Sequence, residues 1–376
     1  MATQIPVSSG QSHLERLLNF LTHDPHNKNL LVEAAEAAID VHDLDTARIL
    51  LDRLDPADAG EERAANLAGL VALRQGRGED AIRIFASLLK VERRSGARLN
   101  LAWAHLLMRD YESVLATFED ASPASDPVAT RLQIEALHHL GRLDEALALG
   151  EQAAEGEICD AGLFGMLSNV ALDAGDTECA RTYAMLATDQ PDGMSTLGML
   201  ALSENNKVAA ATLFERTLAT QPTHARATIG RGLVLIGSDP NTAAAELERG
   251  AVLFGTHLGS WIAAGWGYAI AGDVAGARRN FERARALDDT FSEVHGGLAV
   301  LAILEGDLDS AREQMRVALR LDGQSLGGRL AQMMLLEQAG KPDAAAAILR
   351  KAFEGPLGPN GQTLQQALAG FTRTRP

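Results

Sequence analysis

Cysteine is nearly absent from this 376-residue chain, which holds only Cys159 and Cys179. Two thiols exclude a disulfide framework, and without a Cys-x-x-Cys pair they exclude a thiolate zinc or redox motif. Both lie among apolar residues at helical spacing, so reduced, buried thiols are expected. Aromatic residues make up 4% of the chain, too few for a core of large rings. Lysine occurs only at Lys28, Lys90, Lys207, Lys341 and Lys351, and arginine fills the other basic positions, a bias that suggests a GC-rich, bacterial coding origin. Positive charge is in deficit, with Lys+Arg 34 against Asp+Glu 50 and a formal net charge of −16. Such a surface repels phosphate backbones, which argues against nucleic acid as a partner, and it favours basic or neutral partners. No run approaches the roughly eighteen uncharged apolar residues of a membrane helix, and the first residues lack a basic start followed by an apolar stretch. A cytoplasmic location without membrane insertion is the expectation.

What is abundant is alanine, leucine and glycine, arranged with a period. Residues 259–287 read GSWIAAGWGYAIAGDVAGARRNFERARAL, residues 293–321 read EVHGGLAVLAILEGDLDSAREQMRVALRL, and residues 327–352 repeat the scheme. Gly272, Gly306 and Gly340 are spaced by 34, as are Ala277, Ala311 and Ala345. Earlier members of the alanine series are Ala47, Ala81, Ala146, Ala180, Ala210 and Ala243 or Ala244, with Val114 in the third repeat. Within each repeat, apolar residues recur at i, i+3, i+4 and i+7, the mark of an amphipathic helix. A glycine then ends the first helix in the left-handed conformation. An aspartate next to it caps the second, as Asp43, Asp144, Asp176, Asp273 and Asp307 are placed to do. No segment alternates with period two between turn signals, so no sheet is expected.

This pattern resembles the tetratricopeptide repeat family over about nine-tenths of the chain. Trp261, Gly265, Tyr268, Ala277, Phe281 and Ala284 occupy the signature places of that family, and Gly198, Ala210, Phe214 and Pro222 do so two repeats earlier. The third repeat departs from it with Arg109 at the turn, and the ninth with His295 in the tryptophan place. The resemblance implies an all-α fold: a right-handed α-solenoid superhelix of about ten helix-turn-helix repeats with N- and C-terminal capping helices. Residues 1–26 form a tail and capping helix, with Ser12 and Glu15 as a capping box. Residues 27–354 form the solenoid, with a possible bend over 155–210 where the repeat shortens to 30. Residues 355–376 form a C-terminal cap and tail, with Leu364, Leu368 and Phe371 on one side of a final helix over 362–371.

No phosphate-binding loop, His-Glu-x-x-His or nucleophile elbow occurs, so no enzyme, cofactor or metal is expected. Gly265-Trp266-Gly267 lies inside a helix pattern and reads as close packing. The histidines His13, His23, His26, His42, His138 and His139 read as solvated or groove-lining, because neighbours on a helix point about 100° apart and do not chelate one ion. By resemblance, the first helix of each repeat lines a concave groove. That implies partner contact by Glu33, Glu36, Arg63, Asn66, Asn100, Trp103, Arg131, Glu135 and His138 in the early repeats. In the later ones it implies Met166, Asn169, Met199, Leu233, Ile262, Trp266, Val300, Leu330 and Met334. The first group is polar and the second largely apolar. The clamp by which members of the family hold an acidic C-terminus is not reproduced, since its lysines are missing. The implied function is a non-catalytic scaffold or adaptor that holds an apolar peptide or amphipathic helix of a protein partner. The alternatives are a self-associating homo-oligomer or an accessory subunit of an enzyme, secretion or envelope-assembly complex, and concave residues that pack only on one another.

Overall fold

The computed structural model describes residues 9–54, 62–91, 95–119, 126–155 and 160–354, with the short segments 356–357 and 362–363. The chain divides into two compact units, Met1–Cys159 and Asp160–Pro376. Unit 1 opens with α1 (Ser9–His23), followed by four helix pairs. These are α2 (Lys28–Asp40) with α3 (Leu44–Leu51), and α4 (Glu62–Arg74) with α5 (Gly78–Val91). Next come α6 (Ser95–Leu107) with α7 (Tyr111–Ala116), and α8 (Pro127–His139) with α9 (Leu143–Glu155). Unit 2 begins with α10 (Ala161–Asp173) and α11 (Thr177–Leu186), then α12 (Pro191–Ser203) and α13 (Lys207–Thr220). It continues with α14 (Ala225–Leu235) and α15 (Pro240–Phe254), then α16 (Leu258–Ile270) and α17 (Val274–Leu287). The last pairs are α18 (Ser292–Leu304) with α19 (Leu308–Leu321), and α20 (Leu326–Gln338) with α21 (Pro342–Glu354). Each unit is thus an all-α solenoid stack, and the described residues hold ten helix pairs.

The turn chemistry acts as the repeats imply. Gly76, Gly141, Gly175, Gly272, Gly306 and Gly340 have φ between 68° and 82°, which ends the first helix of each of those pairs. His42, Arg109 and Asn205 take the same turn in repeats that lack the glycine, at φ of 63°, 59° and 60°. The side chains of Asp43, Asp176, Asp273 and Asp307 accept the backbone N–H three residues on and start the second helices. Asp144 does not: α9 begins at Leu143, which puts Asp144 inside the first turn, where its charge faces the positive helix end. Asp110, Asn206 and Asp239 cap in its stead elsewhere, Asp239 ahead of Pro240 at the first helical position.

The small residue of the second helix marks the point of closest approach. Ala47, Ala81, Val114, Ala146, Ala180, Ala210, Ala243, Ala244, Ala277 and Ala311 are all fully buried. Larger side chains fill the gaps between successive repeats: Phe85, Phe214 and Phe281 are each at 0% exposure. Trp261 is core and donates its indole N–H to Gly255 O at 2.7 Å. One repeat on, His295 Nε2 makes the same bond to Asp289 O at 2.6 Å while Nδ1 meets Gln314 at 2.8 Å. The histidine therefore replaces the tryptophan in its hydrogen bond, though not in its volume.

At the N-terminal end, α1 sets Leu14, Leu17 and Leu21 against Leu31 and Ala35, so the first repeat is covered. The helix starts at Ser9, about one turn before the expected Ser12, so Ser12 is internal and does not cap. At the other end, Pro356–Leu357 pairs antiparallel with Gln362–Thr363. This two-residue pairing departs from the expectation of no sheet, and Gln362 and Thr363, expected to open a helix over 362–371, stand in it instead. The remainder of that helix, with Leu364, Leu368 and Phe371, lies outside the described residues. So does Cys159. Cys179 is half-buried, less enclosed than its apolar neighbours suggest, because it sits in the first turn of α11.

Candidate functional site

The first helices of the pairs carry the residues expected to meet a partner. In unit 1 these are α2, α4, α6 and α8. Arg63 Nε donates to Glu36 at 2.6 Å across α4 and α2, so two residues expected to face a partner satisfy each other. Asn100 Nδ2 donates to Asn66 Oδ1 at 2.7 Å. Trp103 is 43% exposed, with Leu107 one turn on at 60%. Arg131, Glu135 and His138 lie half-buried on α8, and His139 stacks on Tyr111 with centroids 4.6 Å apart. Most of these side chains are polar and several bond one another, with an aromatic-apolar step of Trp103 and Leu107 on α6. Among the described residues no group of three or more His, Cys, Asp or Glu is placed to hold a metal.

In unit 2 the apolar places fall into rows, because from α12 on each first helix repeats the last one at an interval of 33 or 34. The central row runs Met199, Leu233, Trp266, Val300, Met334 from α12 to α20; on α10, where the interval is 30, Asn169 stands in that place and Met166 one turn nearer the helix start. All are half-buried except Val300, which is buried at 5% exposure. Trp266 meets Phe281 edge-on at 5.4 Å and packs between two apolar clusters, so it is part of the repeat interface as well as its surface. A second row, one turn nearer the helix starts, holds Ile262, buried at 8%, Gly296, and Leu330, exposed at 37%. The third row, one turn nearer the helix ends, was not picked out from the pattern: Ile270 at 55% and Leu304 at 53% are its most exposed members. Their spacing of four from Trp266 and Val300 was the available signal. Ile262 and Val300 are core, while Ile270, Leu304 and Leu330 carry the free apolar surface. The first helices here carry little charge: α16 has no Asp, Glu, Lys or Arg, α18 has only Glu293 in its first turn, and α20 has Arg329 and Glu337.

The start of unit 2 is different. Asn169 Nδ2 on α10 donates to Asp192 Oδ1 on α12 at 2.8 Å, and Asn169 Oδ1 accepts from Thr196 at 2.9 Å. His224, the N-cap of α14, accepts Ala227 N–H at Nδ1, which leaves Nε2 to donate to the same Asp192 oxygen at 3.0 Å. Burial raises the Asp192 carboxyl, but the bonds from His224 and Asn169, with the nearby Arg226, outweigh it and hold the group below the usual aspartate range. Arg226 in turn makes a bidentate pair with Asp173 at 2.9 and 2.7 Å. Glu293 repeats the theme on α18, accepting from Ser325 Oγ and from the N–H groups of Leu326 and Gly327 at the start of α20.

Comparison with known proteins agrees with this architecture. Tetratricopeptide repeat models match residues 66–127 in unit 1 and residues 268–334 in unit 2. Over those residues the chain carries tetratricopeptide repeats. The APC/C hetero-tetramer Cut9-Hcn1 shares the fold, with a TM-score of 0.57, 16% identity, and coverage of 90% of this chain and 77% of that one. The human IFIT1 dimer with m7Gppp-AAAA does so too, with a TM-score of 0.54, 13% identity, and coverage of 93% and 95%. At such identities the likeness concerns the fold. Among curated proteins no sequence matches the chain. Repeats of this kind support a protein-interaction scaffold in general terms. Among the described residues, no helix is long and apolar enough to cross a membrane.

Proposed function

We propose that this chain is a non-catalytic, cytoplasmic scaffold that holds an apolar or amphipathic helical segment of a partner protein on the first-helix face of α16, α18 and α20. The supporting observation is the sparsely charged face on which Ile270, Leu304 and Leu330 remain exposed beside Trp266 and Met334. Apolar anchors at a helical spacing, with methionine and tryptophan at their centre, suit a helix laid along them. The organisation carried into this reading is a capping helix within 1–26, a solenoid over 27–354 and a C-terminal cap within 355–376.

The probe is a fluorescein-labelled synthetic amphipathic helix with a leucine face, measured by anisotropy against its scrambled sequence. In the Ile270→Asp/Leu304→Asp variant its affinity is expected to fall at least about tenfold, since two carboxylates would be desolvated on docking. Thermal stability should move by only about 0.5 kcal/mol per exposed site. Equal binding of helix and scramble, or of variant and parent, would overturn the assignment. Trp266→Ala is the less informative variant, because its contact with Phe281 ties binding to stability.

A second reading, self-association, rests on a separate apolar edge. Leu287 and Phe291 at the end of one repeat, and Leu321 and Leu326 at the end of the next, are 37–51% exposed. Light scattering on Phe291→Asp/Leu321→Asp checks it: if this edge pairs two copies, a dimer of the parent becomes a monomer of the variant. A parent that is monomeric across the micromolar range removes this reading.

A further inference from the structure

We infer that the far side of α20 is the seat of this chain's own segment 364–371, which docks there as a further first helix would and competes with a partner for Leu330. The competition rests on the docking reading above, whereas the seat stands without it. On α18 the same side is covered by α20 at close range. A Cβ at Gly296 would lie 2.6 Å from Gly328 N, and Glu293 accepts from the N–H groups of Leu326 and Gly327. Under that cover Ala299, Val300 and Ile303 are 0%, 5% and 4% exposed. The places matching Gly296, Ala299, Val300 and Ile303 on α20, 34 residues on, hold Leu330, Met333, Met334 and Glu337. Leu330 is 37% exposed, Glu337 is exposed and both methionines are half-buried. Among the described residues, the helices that pack closely on α20 are α18, α19 and α21. None of these takes the place that α20 takes on α18, so an apolar strip of Leu330, Met333 and Met334 ends the described stack.

The segment that follows fits this seat in register. Counting 33 on from Ala331 and Leu335, which join the apolar cluster of α18, gives Leu364 and Leu368, and the same interval separates Leu233 from Trp266. With Ala367 and Phe371 they stand at i, i+3, i+4 and i+7 of LQQALAGF, one apolar helical face in a stretch without charge. The segment also starts in the right place. Helices α18 and α20 each begin five residues after the preceding second helix ends, so a second helix ends beside the start of the next first helix. Helix α21 ends at Glu354, and the pairing of Thr363 with Pro356 returns the chain to that point just before Leu364. A tethered segment meets its seat at an effective concentration on the order of millimolar, ahead of a dilute free partner. Leu330 stands where Gly296 meets the start of α20, so the docked segment covers it and withdraws one of the three exposed anchors of the docking face.

The seat can be read without any partner. In full-length chain carrying Met333→Cys, with Cys159→Ser and Cys179→Ser, the rate of N-ethylmaleimide addition at position 333 is followed by mass spectrometry. Ending the chain at Thr363 should raise it by about tenfold or more, the factor that corresponds to uncovering one buried leucine. Leu364→Asp/Leu368→Asp in the full chain should do the same, while Gln366→Asp/Ala369→Asp, on the opposite side of the segment, should leave the rate unchanged. Circular dichroism and hydrogen exchange in α18 and α20 identify any variant that unfolds the last repeats. Should truncation do so, the Leu364→Asp/Leu368→Asp chain decides the matter. Unchanged labelling in that folded chain would overturn the seat. So would protection that develops only as the protein concentration rises through the micromolar range, because the occupant would then be a second copy. Truncation should also tighten binding of the fluorescein-labelled helix by about threefold, as one partly covered anchor is released. An unchanged affinity with the labelling effect intact would remove the competition, and equal binding of helix and scramble would remove the docking reading while the seat stands.

Discussion

Phe281→Ala is expected to lower the stability of unit 2 by about 3–5 kcal/mol, read from urea unfolding by circular dichroism. The ring is fully buried on the second helix of its repeat, between two first helices. A Cβ placed at Gly265 on α16 would stand 2.8 Å from it, and one at Gly297 on α18 would meet it even more closely. The two glycines therefore form the walls of a slot that one phenyl ring fills. Those walls are backbone, held by helical hydrogen bonds, and cannot close over the void, so the loss belongs at the upper end for a large-to-small change. Phe214 stands in the same kind of slot between Gly198 and Gly230, and Phe214→Ala should cost a similar amount. Trp266 leans edge-on against Phe281, so the docking face above it loses its support as well. Phe281→Leu, which refills much of the volume, should recover most of the stability; if alanine costs less than about 1 kcal/mol, the slot is not the keystone described.

Gly296→Ala should separate α18 from α20, at a cost of about 3 kcal/mol or more from a single methyl group. The added Cβ would lie 2.6 Å from Gly328 N and 2.7 Å from Gly327 Cα, both backbone atoms. Overpacking against a flexible side chain is relieved by a rotamer change, whereas backbone against backbone yields only by moving a helix. The helix that must move is the one whose start is bonded to Glu293, so the Ser325, Leu326 and Gly327 contacts would be strained together. Hydrogen exchange should show α20 losing protection while α12 keeps it. An alanine variant as stable as the parent would show that the two helices tolerate separation.

The repeat was fully legible in the sequence because its determinants are local. The left-handed turn at Gly272 or Gly306, the cap at Asp273 or Asp307, and the small Ala277 or Ala311 each act within a few residues of chain, and their spacing of 34 made them visible. Even the misfits announced themselves as misfits: Arg109 adopts the glycine turn, and His295 makes the tryptophan bond. The helix starts at Ser9 and Leu143 were less legible, since a cap is decided by which of several polar residues bonds first.

The site divides along another line. That Met199, Trp266 and Met334 share one face followed from helical period alone. Which of that face stays open did not. Ile262 and Val300 are sealed because the apolar clusters of neighbouring repeats close on them, while Ile270 and Leu304, at the far ends of their helices, are left uncovered. Glu36 with Arg63, Asp192 with His224, and Asp173 with Arg226 are bonds between residues separated by 27, 32 and 53 positions. Sequence by itself determined the repeats, their turns and the apolar rows, because those depend on backbone chemistry within a single helix pair. Tertiary structure alone decided which charges pair and which surface remains, because that depends on the angle and distance at which one repeat meets the next.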